Sequence, residues 1–475
     1  MLSDNPSTKK NISKTLGKFA LIHIGNDEVY GLEFVAAEIA ASGHEFQWFD
    51  GEAADVIDSI IAYNANVVCF SPLTTFFPPS VILARKIKTR APQMRMVFGG
   101  AHITASADHI QTDGIDIAVT GPVYGTIDQI LTLPDKSVIQ GTPVMPDKMT
   151  PRRREYFETI PRIGGRHRKT IMSHFGCVYA CAYCATHNQR RVIGPKNYQQ
   201  FYLTRRPIDH LIDEARILLE FKTKEVCLED DDALEGFEAE AWMHEFVPRW
   251  NKEIGIPVYA NVTPKTVTHV SDSHLKNFSE LVHYVTMGVQ AARPSSLKLF
   301  NRQFQKEEQI KEAYNRLKAF GIRVKMELII GLPVEDPIGD AIDTIKCAQR
   351  IGAGDFGVAF PLMLYPGTAL HKWCKDNNIP MNEECRFEWY SGVGSIKFED
   401  PQIEKQIHNL SKLASMFIKY NIDERWMRAL IKVDIPEEAS KLMSQNCYLE
   451  ALVARQGEAA KESFEEVLTN MNFRF

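Results

Sequence analysis

Two strand–helix series, laid end to end, predict an α/β chain: a doubly wound, Rossmann-like front domain, a partial barrel of six βα units and a mostly helical C-terminal region. Three observations carry this prediction. Short apolar runs alternate with stretches whose apolar residues recur at helical spacing. The runs of the front series end in Gly, Ser and Thr. Three cysteines, Cys177, Cys181 and Cys184, follow the first run of the second series.

A polar tail, 1–17, precedes the front series at 18–140. "KFALIHI" reads as a buried strand, and Leu32, Val35, Ala36, Ile39 and Ala40 mark the helix after it. "HEFQWF", "NVVCFS", "MRMVFGG" and "IDIAVTG" complete five strands, with helices at Val56–Ile61 and over "SVILARKIK" between them. Connections this short imply parallel pairing and a ligand crevice at the carboxyl ends of the strands. Those ends offer Ser71, Thr74 and Thr75, then Gly99, Gly100, Ala101 and His102, then Thr120 and Gly121. Small residues let a ligand approach the backbone. "HIGNDEVYG" after the first strand lacks GxGxxG, which disfavours a dinucleotide fold.

A linker, 141–168, is rich in proline and arginine. Its basic runs, Arg152–Arg154 and Arg166–Lys169, read as interdomain segments or as contacts to phosphates. The second series, 169–375, supplies "KTIMS", "EVCL", "PVYANV", "HYVTMGV", "RVKMELII" and "DFGVAFPLML", with helical spacing at 207–221 and 306–319. Six βα units predict a partial barrel with its chemistry at the carboxyl ends of the strands. Residues 376–475 are mostly helical. There Trp389, Tyr390, Phe417 and Trp426 either line an apolar site or pack on the barrel, the second being favoured.

The chain has 475 residues, a net charge of −5 and 44% hydrophobic residues, the profile of a folded multidomain protein without a broad basic face. DNA is therefore not expected as a partner, and RNA is disfavoured. No apolar run reaches membrane-spanning length and the N-terminus has no signal core, so a cytoplasmic, non-transmembrane protein is expected. Of nine cysteines, six are scattered and read as isolated thiols rather than a disulfide framework.

The trio stands apart. Three thiolates can hold three irons of a [4Fe–4S] cluster and leave the fourth open. Zinc is the rival, with His187 as fourth ligand. Ligands crowded into one loop, in a barrel that needs no staple, argue against zinc and for a loop or active-site role of His187.

Cys177-x3-Cys181-x2-Cys184 after the first barrel strand resembles the radical S-adenosylmethionine superfamily. Further segments resemble it in order along 170–370. The resemblance implies that Tyr183 lies against the adenine and that Asp230 and Asp231 of "EVCLEDDDAL" approach the methionyl amino group. It implies that Gln290 and Arg302 of "MGVQAARPSSLKLFNR" meet the ribose and carboxylate, and that Ile329 and Gly331 of "ELIIGLPVED" contact the adenine. Gln290 stands where many relatives have glutamate. "YPGT", Tyr365–Thr368, is another such segment.

A doubly wound domain carrying "VFGGAH" before this barrel resembles the cobalamin-binding class of the superfamily. The resemblance assigns Ser71, Thr74, Thr75, Gly99, Gly100, Ala101, His102 and Gly121 to cobalamin. The DxHxxG ligand motif is absent; Asp272-x-His274-x-x-Asn277 has half its form but lies in the barrel. Gly121–Gly125 departs from the GEGE of relatives. The implied activity is reductive cleavage of S-adenosylmethionine to a 5′-deoxyadenosyl radical, followed by methylation of an unactivated carbon of a small-molecule, lipid or natural-product substrate. A non-methylating oxidative cyclisation or rearrangement is the alternative. The implied cofactors are a [4Fe–4S] cluster, S-adenosylmethionine and cobalamin, and the implied partner is a reductant such as flavodoxin or ferredoxin. His174 and His102 are the candidate catalytic residues of a cavity that must exclude water.

Overall fold

The computed structural model describes residues 16–236, 238–352, 356–382, 393–436 and 438–439. Within them two parallel six-stranded sheets follow one another. The first contains β1 (Lys18–His23), β2 (Glu45–Asp50), β3 (Val67–Phe70), β4 (Arg95–Phe98), β5 (Ile117–Thr120) and β6 (Ser137–Gln140), in the order 2-1-3-4-5-6. Its inner strands are mostly apolar because helices cover both faces: β3 and β5 are buried at every position. The chain order reverses between β1 and β3, which puts the ligand crevice at the carboxyl ends of these strands.

The sequence shows only five of these strands. The sixth, β6, is a polar edge, "SVIQ", with Val138 half exposed and Ile139 alone buried. It has no apolar run to announce it, and it is held by parallel pairing to β5.

The second sheet contains β7 (Arg168–Ile171), β8 (Glu225–Leu228), β9 (Val258–Val262), β10 (Val282–Gln290), β11 (Arg323–Ile330) and β12 (Gly357–Pro361), paired in sequential order. It is an open half-barrel. On β11 burial alternates at every residue: Val324, Met326, Leu328 and Ile330 pack against the outer helices, while Arg323, Lys325, Glu327 and Ile329 face the lumen. The helix Pro401–Lys419 closes the β12 side, with Leu410, Leu413, Phe417 and Ile418 in the core. Phe417 is thus a core residue, and Trp426 is 63% exposed. Trp389 and Tyr390 lie outside the described residues. Among those described, no helix is long and apolar enough to cross a membrane.

The basic runs of the linker are absorbed by the fold. Arg153 is fully buried between the sheets, Lys169 donates to the carbonyls of Gly164 and Arg166, Arg154 pairs with Glu220, and Arg168 with Glu225. Arg153 contacts Glu28 and Glu33 of the front domain and Glu214 of the barrel helix Ile208–Glu220. Glu214 also accepts from Arg206 and from Tyr30 Oη, both at 2.8 Å, and Arg206 donates to Tyr30 Oη. Glu33 Oε2 lies 3.0 Å from Arg153 Nε but off the hydrogen-bond line. Burial, then Glu214, pushes the Glu33 carboxyl far up. Two guanidiniums, Arg153 and Arg206, thus meet the carboxyl groups of Glu28, Glu33 and Glu214 at this seam.

Candidate active site

The cysteine loop leaves β7 at the carboxyl edge of the half-barrel. Cys181 is 8% exposed and Cys177 and Cys184 are half-buried. The loop is pinned from several sides. Ala182 N donates to Phe300 O at 2.9 Å, and its carbonyl accepts from Leu370 N at 2.8 Å. Tyr198 Oη accepts from Cys177 N at 2.8 Å. Burial pushes the Cys184 thiol up to about 11 and the Cys177 thiol further. Thiolates at such positions need positive charge supplied by ligated metal, which is the demand an iron–sulfur cluster meets. His187 Nε2 donates to Tyr179 O at 2.7 Å and so closes the loop on itself. Among the described residues no three His, Cys, Asp or Glu side chains close on a single metal ion.

Arg302, 3% exposed, places Nη1 at 3.1 Å from Cys181 Sγ and 3.3 Å from Tyr183 Oη. Its Nη2 is held by Gly288 O and Gln305 Oε1. Its Nε is buried with no hydrogen-bond partner, a donor that suits a carboxylate. Tyr183 packs edge-on to Phe300 with centroids 4.7 Å apart, in an apolar cluster that also contains Ile329 and Leu332. Gln290 ends β10 at φ +66°, beside a register shift that begins at Gly288. A left-handed glutamine is strained, and it falls here where the strand ends. Gly331 follows β11 at φ +73°, and a Cβ there would come within 2.9 Å of Ile407.

The three aspartates after β8 divide by face. Asp230 and Asp232 are fully buried and structural in their contacts. Asp232 accepts from Thr263 and Leu234. Asp230 accepts from Ser173 N at 2.6 Å and from Arg205 at 3.3 Å, and lies 3.1 Å from His174 Nδ1. Burial raises its pKa, but His174, Arg205 and Ser173 outweigh it and hold the carboxyl down to about 2. Asp231 instead turns toward the cysteine loop and accepts from Thr186 Oγ1 at 2.9 Å; burial raises it to about 6. A bound ammonium would restore its charge. Of the aspartates assigned to S-adenosylmethionine, then, Asp231 has the freer carboxylate, whereas Asp230 is committed to Arg205 and His174. The lowered carboxyl of Asp230 stabilises the fold above its unfolded value near 4, and that contribution, about 2 kcal/mol, is lost as pH falls through about 2. Acid unfolding followed by circular dichroism should show Asp230→Asn losing this dependence.

His174 is fully buried and its Nε2 has no partner. His102 is differently placed. Its Nδ1 lies 3.3 Å from Thr74 Oγ1, its Nε2 lies 2.9 Å from His109 Nδ1, and its ring stacks on Phe77 at 4.0 Å. Burial holds it near pKa 4, hence neutral. Both ring nitrogens are engaged inside the front domain.

The other residues assigned to cobalamin border one edge. Ser71 follows β3, and Gly100 sits so close that a Cβ would lie 2.5 Å from Ser71 Oγ, at φ +78°. Gly99 N donates to Phe70 O, Ala101 is exposed, Thr75 is half-buried, and Gly121 N donates to Thr104 Oγ1 at 3.0 Å. This edge looks toward the helix Thr186–Ile193, which begins two residues after Cys184. Gln140 Nε2 donates to Val192 O at 2.9 Å, Arg191 reaches Ala105 O and Gly367 O, and Asn188 reaches Pro366 O. The crevice of the first sheet and the cysteine loop of the second thus share one wall.

Two family models match: a B12 binding domain over residues 17–131 and the radical SAM superfamily over residues 171–346. The chain thus joins a B12 binding domain to a radical SAM domain. Its fold is similar to that of TsrM, a radical S-adenosylmethionine methyltransferase from Kitasatospora setae solved with cobalamin and a [4Fe–4S] cluster. The identity is 14%, the coverage 95% of this chain and 99% of that one, and the TM-score 0.64. The cobalamin-dependent S-adenosylmethionine radical enzyme OxsB, solved with aqua-cobalamin and S-adenosylmethionine, is similar at 12% identity, 96% and 79% coverage and a TM-score of 0.64. No curated protein matches the chain in sequence.

The sequence did not reveal Arg205, Gln305 or Tyr198, which hold Asp230, Arg302 and Cys177 in place. Their only signal was a polar side chain near a motif, and each finds its partner across the fold.

Proposed function

We propose that this enzyme methylates an unactivated carbon of a small-molecule, lipid or natural-product substrate. The observation that carries the reading is the shared wall: Gln140, Ala105 and Gly121 of the front domain meet the helix that follows Cys184. A methyl carrier at the first edge and a radical source at the second would face one cleft.

Cys177, Cys181 and Cys184 would hold the cluster, and Ser71, Thr74, Thr75, Gly99, Gly100, Ala101 and Gly121 would border the cobalamin. When bound, the cluster supplies the electron for cleavage of S-adenosylmethionine and cobalamin carries the methyl group. The chain's own residues do the rest. Arg302 sets a positive charge against Cys181 and offers Nε to a carboxylate. Asp231 accepts from an ammonium. Asp230, already ionised, fixes the His174 ring with Nε2 left to donate or accept. Tyr183, Ile329 and Leu332 give an apolar wall that keeps water from the reacting carbon.

The test is anaerobic reconstitution with iron, sulfide and hydroxocobalamin, followed by reductant, a small-molecule extract and S-adenosylmethionine labelled with deuterium in its methyl group. The expected result is retained cobalamin, a labelled methyl group in one extract component, and both S-adenosylhomocysteine and 5′-deoxyadenosine. 5′-Deoxyadenosine alone would replace methylation by cyclisation or rearrangement.

A further inference from the structure

The lumen of the half-barrel carries a polar level that the cofactors do not use. On β8, Val226 and Leu228 pack outward into the core, so Cys227 and Glu229 take the lumen face. On β9, Ala260 and Val262 point outward, and on β10 Val285 and Met287 do so, which turns Asn261 and Thr286 inward. Strand pairing sets these side chains side by side. Leu228 lies beside Ala260, Asn261 beside Thr286, and Thr286 beside Lys325 of β11. One step toward the amino ends of the strands, Tyr259 and Tyr284 stack with centroids 4.8 Å apart.

The cations around this level are matched. Lys325 Nζ donates to Glu327 Oε1 at 3.1 Å, and Arg168, whose guanidinium lies over Tyr259, is held by Glu225. Two side chains are not. Thr286 is 7% exposed, and among the described residues its hydroxyl has no hydrogen-bond partner. Among the same residues Glu229 has one partner, the Cys227 thiol, and no cation in contact. Glu229 is exposed, yet burial raises its carboxyl; Cys227 opposes the rise and Glu327 adds to it. The water it meets is therefore that of a walled lumen. Asn261 spends Nδ2 on Asp230 O at 3.3 Å, which leaves its carbonyl oxygen as an acceptor. A buried hydroxyl without a partner and a carboxylate without a counter-charge, on one wall, call for a ligand that donates hydrogen bonds and carries positive charge.

We propose that Glu229, Asn261 and Thr286 form a subsite for a basic nitrogen, so that the substrate is a small molecule carrying a protonated amine. The inference rests on the methylation reading and narrows its substrate class. The ammonium donates to Glu229 and to the two neutral oxygens beside it. The rest of the molecule, with the carbon that is methylated, extends toward the cysteine loop. The subsite is separate from Asp231, whose carboxylate turns to Thr186 of that loop's helix. A carboxylate or phosphate at this level would face Glu229 and Glu327 and be rejected.

The experiment measures binding to the reconstituted full chain by calorimetry, with no reductant, so that nothing turns over, and with saturating S-adenosylmethionine, whose own ammonium would otherwise leave Asp231 open to the probe. The probes are 2-phenylethylamine, 2-phenylethanol and 3-phenylpropionate, alike in shape and different in charge. The amine should bind about tenfold tighter than the alcohol or the acid. Glu229→Gln should abolish that preference, while Glu312→Gln, an exposed helix carboxylate, keeps it. Circular dichroism checks that each variant is folded. No binding of the amine, no preference for it, or a preference that survives Glu229→Gln overturns the subsite. A second arm takes the deuterium-labelled component of the extract and passes it over a cation exchanger at pH 7, where it should be retained. Label in a component without a basic nitrogen overturns the amine assignment and leaves methylation standing. Label in no component overturns methylation, and the probe binding then decides the subsite by itself.

Discussion

Replacing Cys181 with alanine is expected to strip the reconstituted chain of iron and acid-labile sulfide and to bring 5′-deoxyadenosine formation to background. Cys181 is the most buried of the trio and the one in contact with Arg302. Its loss removes one of three ligands and leaves a buried guanidinium facing Tyr183 and an empty corner. Arg302→Leu separates the two roles. The cysteines remain, so iron and sulfide should load, while S-adenosylmethionine affinity and cleavage fall by about 10–100-fold, the usual cost of removing a group that supports a metal ligand. Arg302→Lys should recover little. One ammonium cannot serve Cys181, Tyr183, Gly288 O and Gln305 together and still leave a donor for a carboxylate. Full iron loading of Cys181→Ala, measured by iron and sulfide analysis, would defeat this account.

Arg153→Met should loosen the two domains and cost about 3–5 kcal/mol. The side chain is fully buried, and Glu28 and Glu214 would lose the guanidinium that balances them. Limited proteolysis within 141–168, together with small-angle scattering, should register the opening, and a lowered thermal midpoint should accompany it. Arg153→Lys is expected to rescue only in part, because one ammonium cannot span three carboxyl groups and Thr170 O. A variant that matches the parent in cleavage and melting would show that the apolar contacts alone hold the interface.

How far the sequence reached follows from the range of each interaction. Strand runs and the cysteine spacing are local, so the order of both sheets and the position of the trio were legible. The run Asp230–Asp232 was legible as a motif, but not in its division of labour: successive residues alternate faces, and the partners, Arg205, Thr263 and Thr186, come from separate segments of the chain. His102 read as a crevice residue from its place in "GGAH"; the structure turns it onto Phe77 and His109. The strand β6 was missed because an edge strand can be polar. The Arg153 network joins residues more than a hundred positions apart, and no spacing rule connects them.

That network bears on attempts to trade parts between related enzymes. A front domain grafted from elsewhere would have to bring counterparts of Glu28, Tyr30 and Glu33, and the recipient would have to keep Arg153, Arg206 and Glu214. Without them, a chimera cut cleanly within 141–168 would bury unmatched charge at the seam, however well each half folds alone. The unit of exchange is therefore larger than either sheet: it includes the first helix of one half and the Ile208–Glu220 helix of the other.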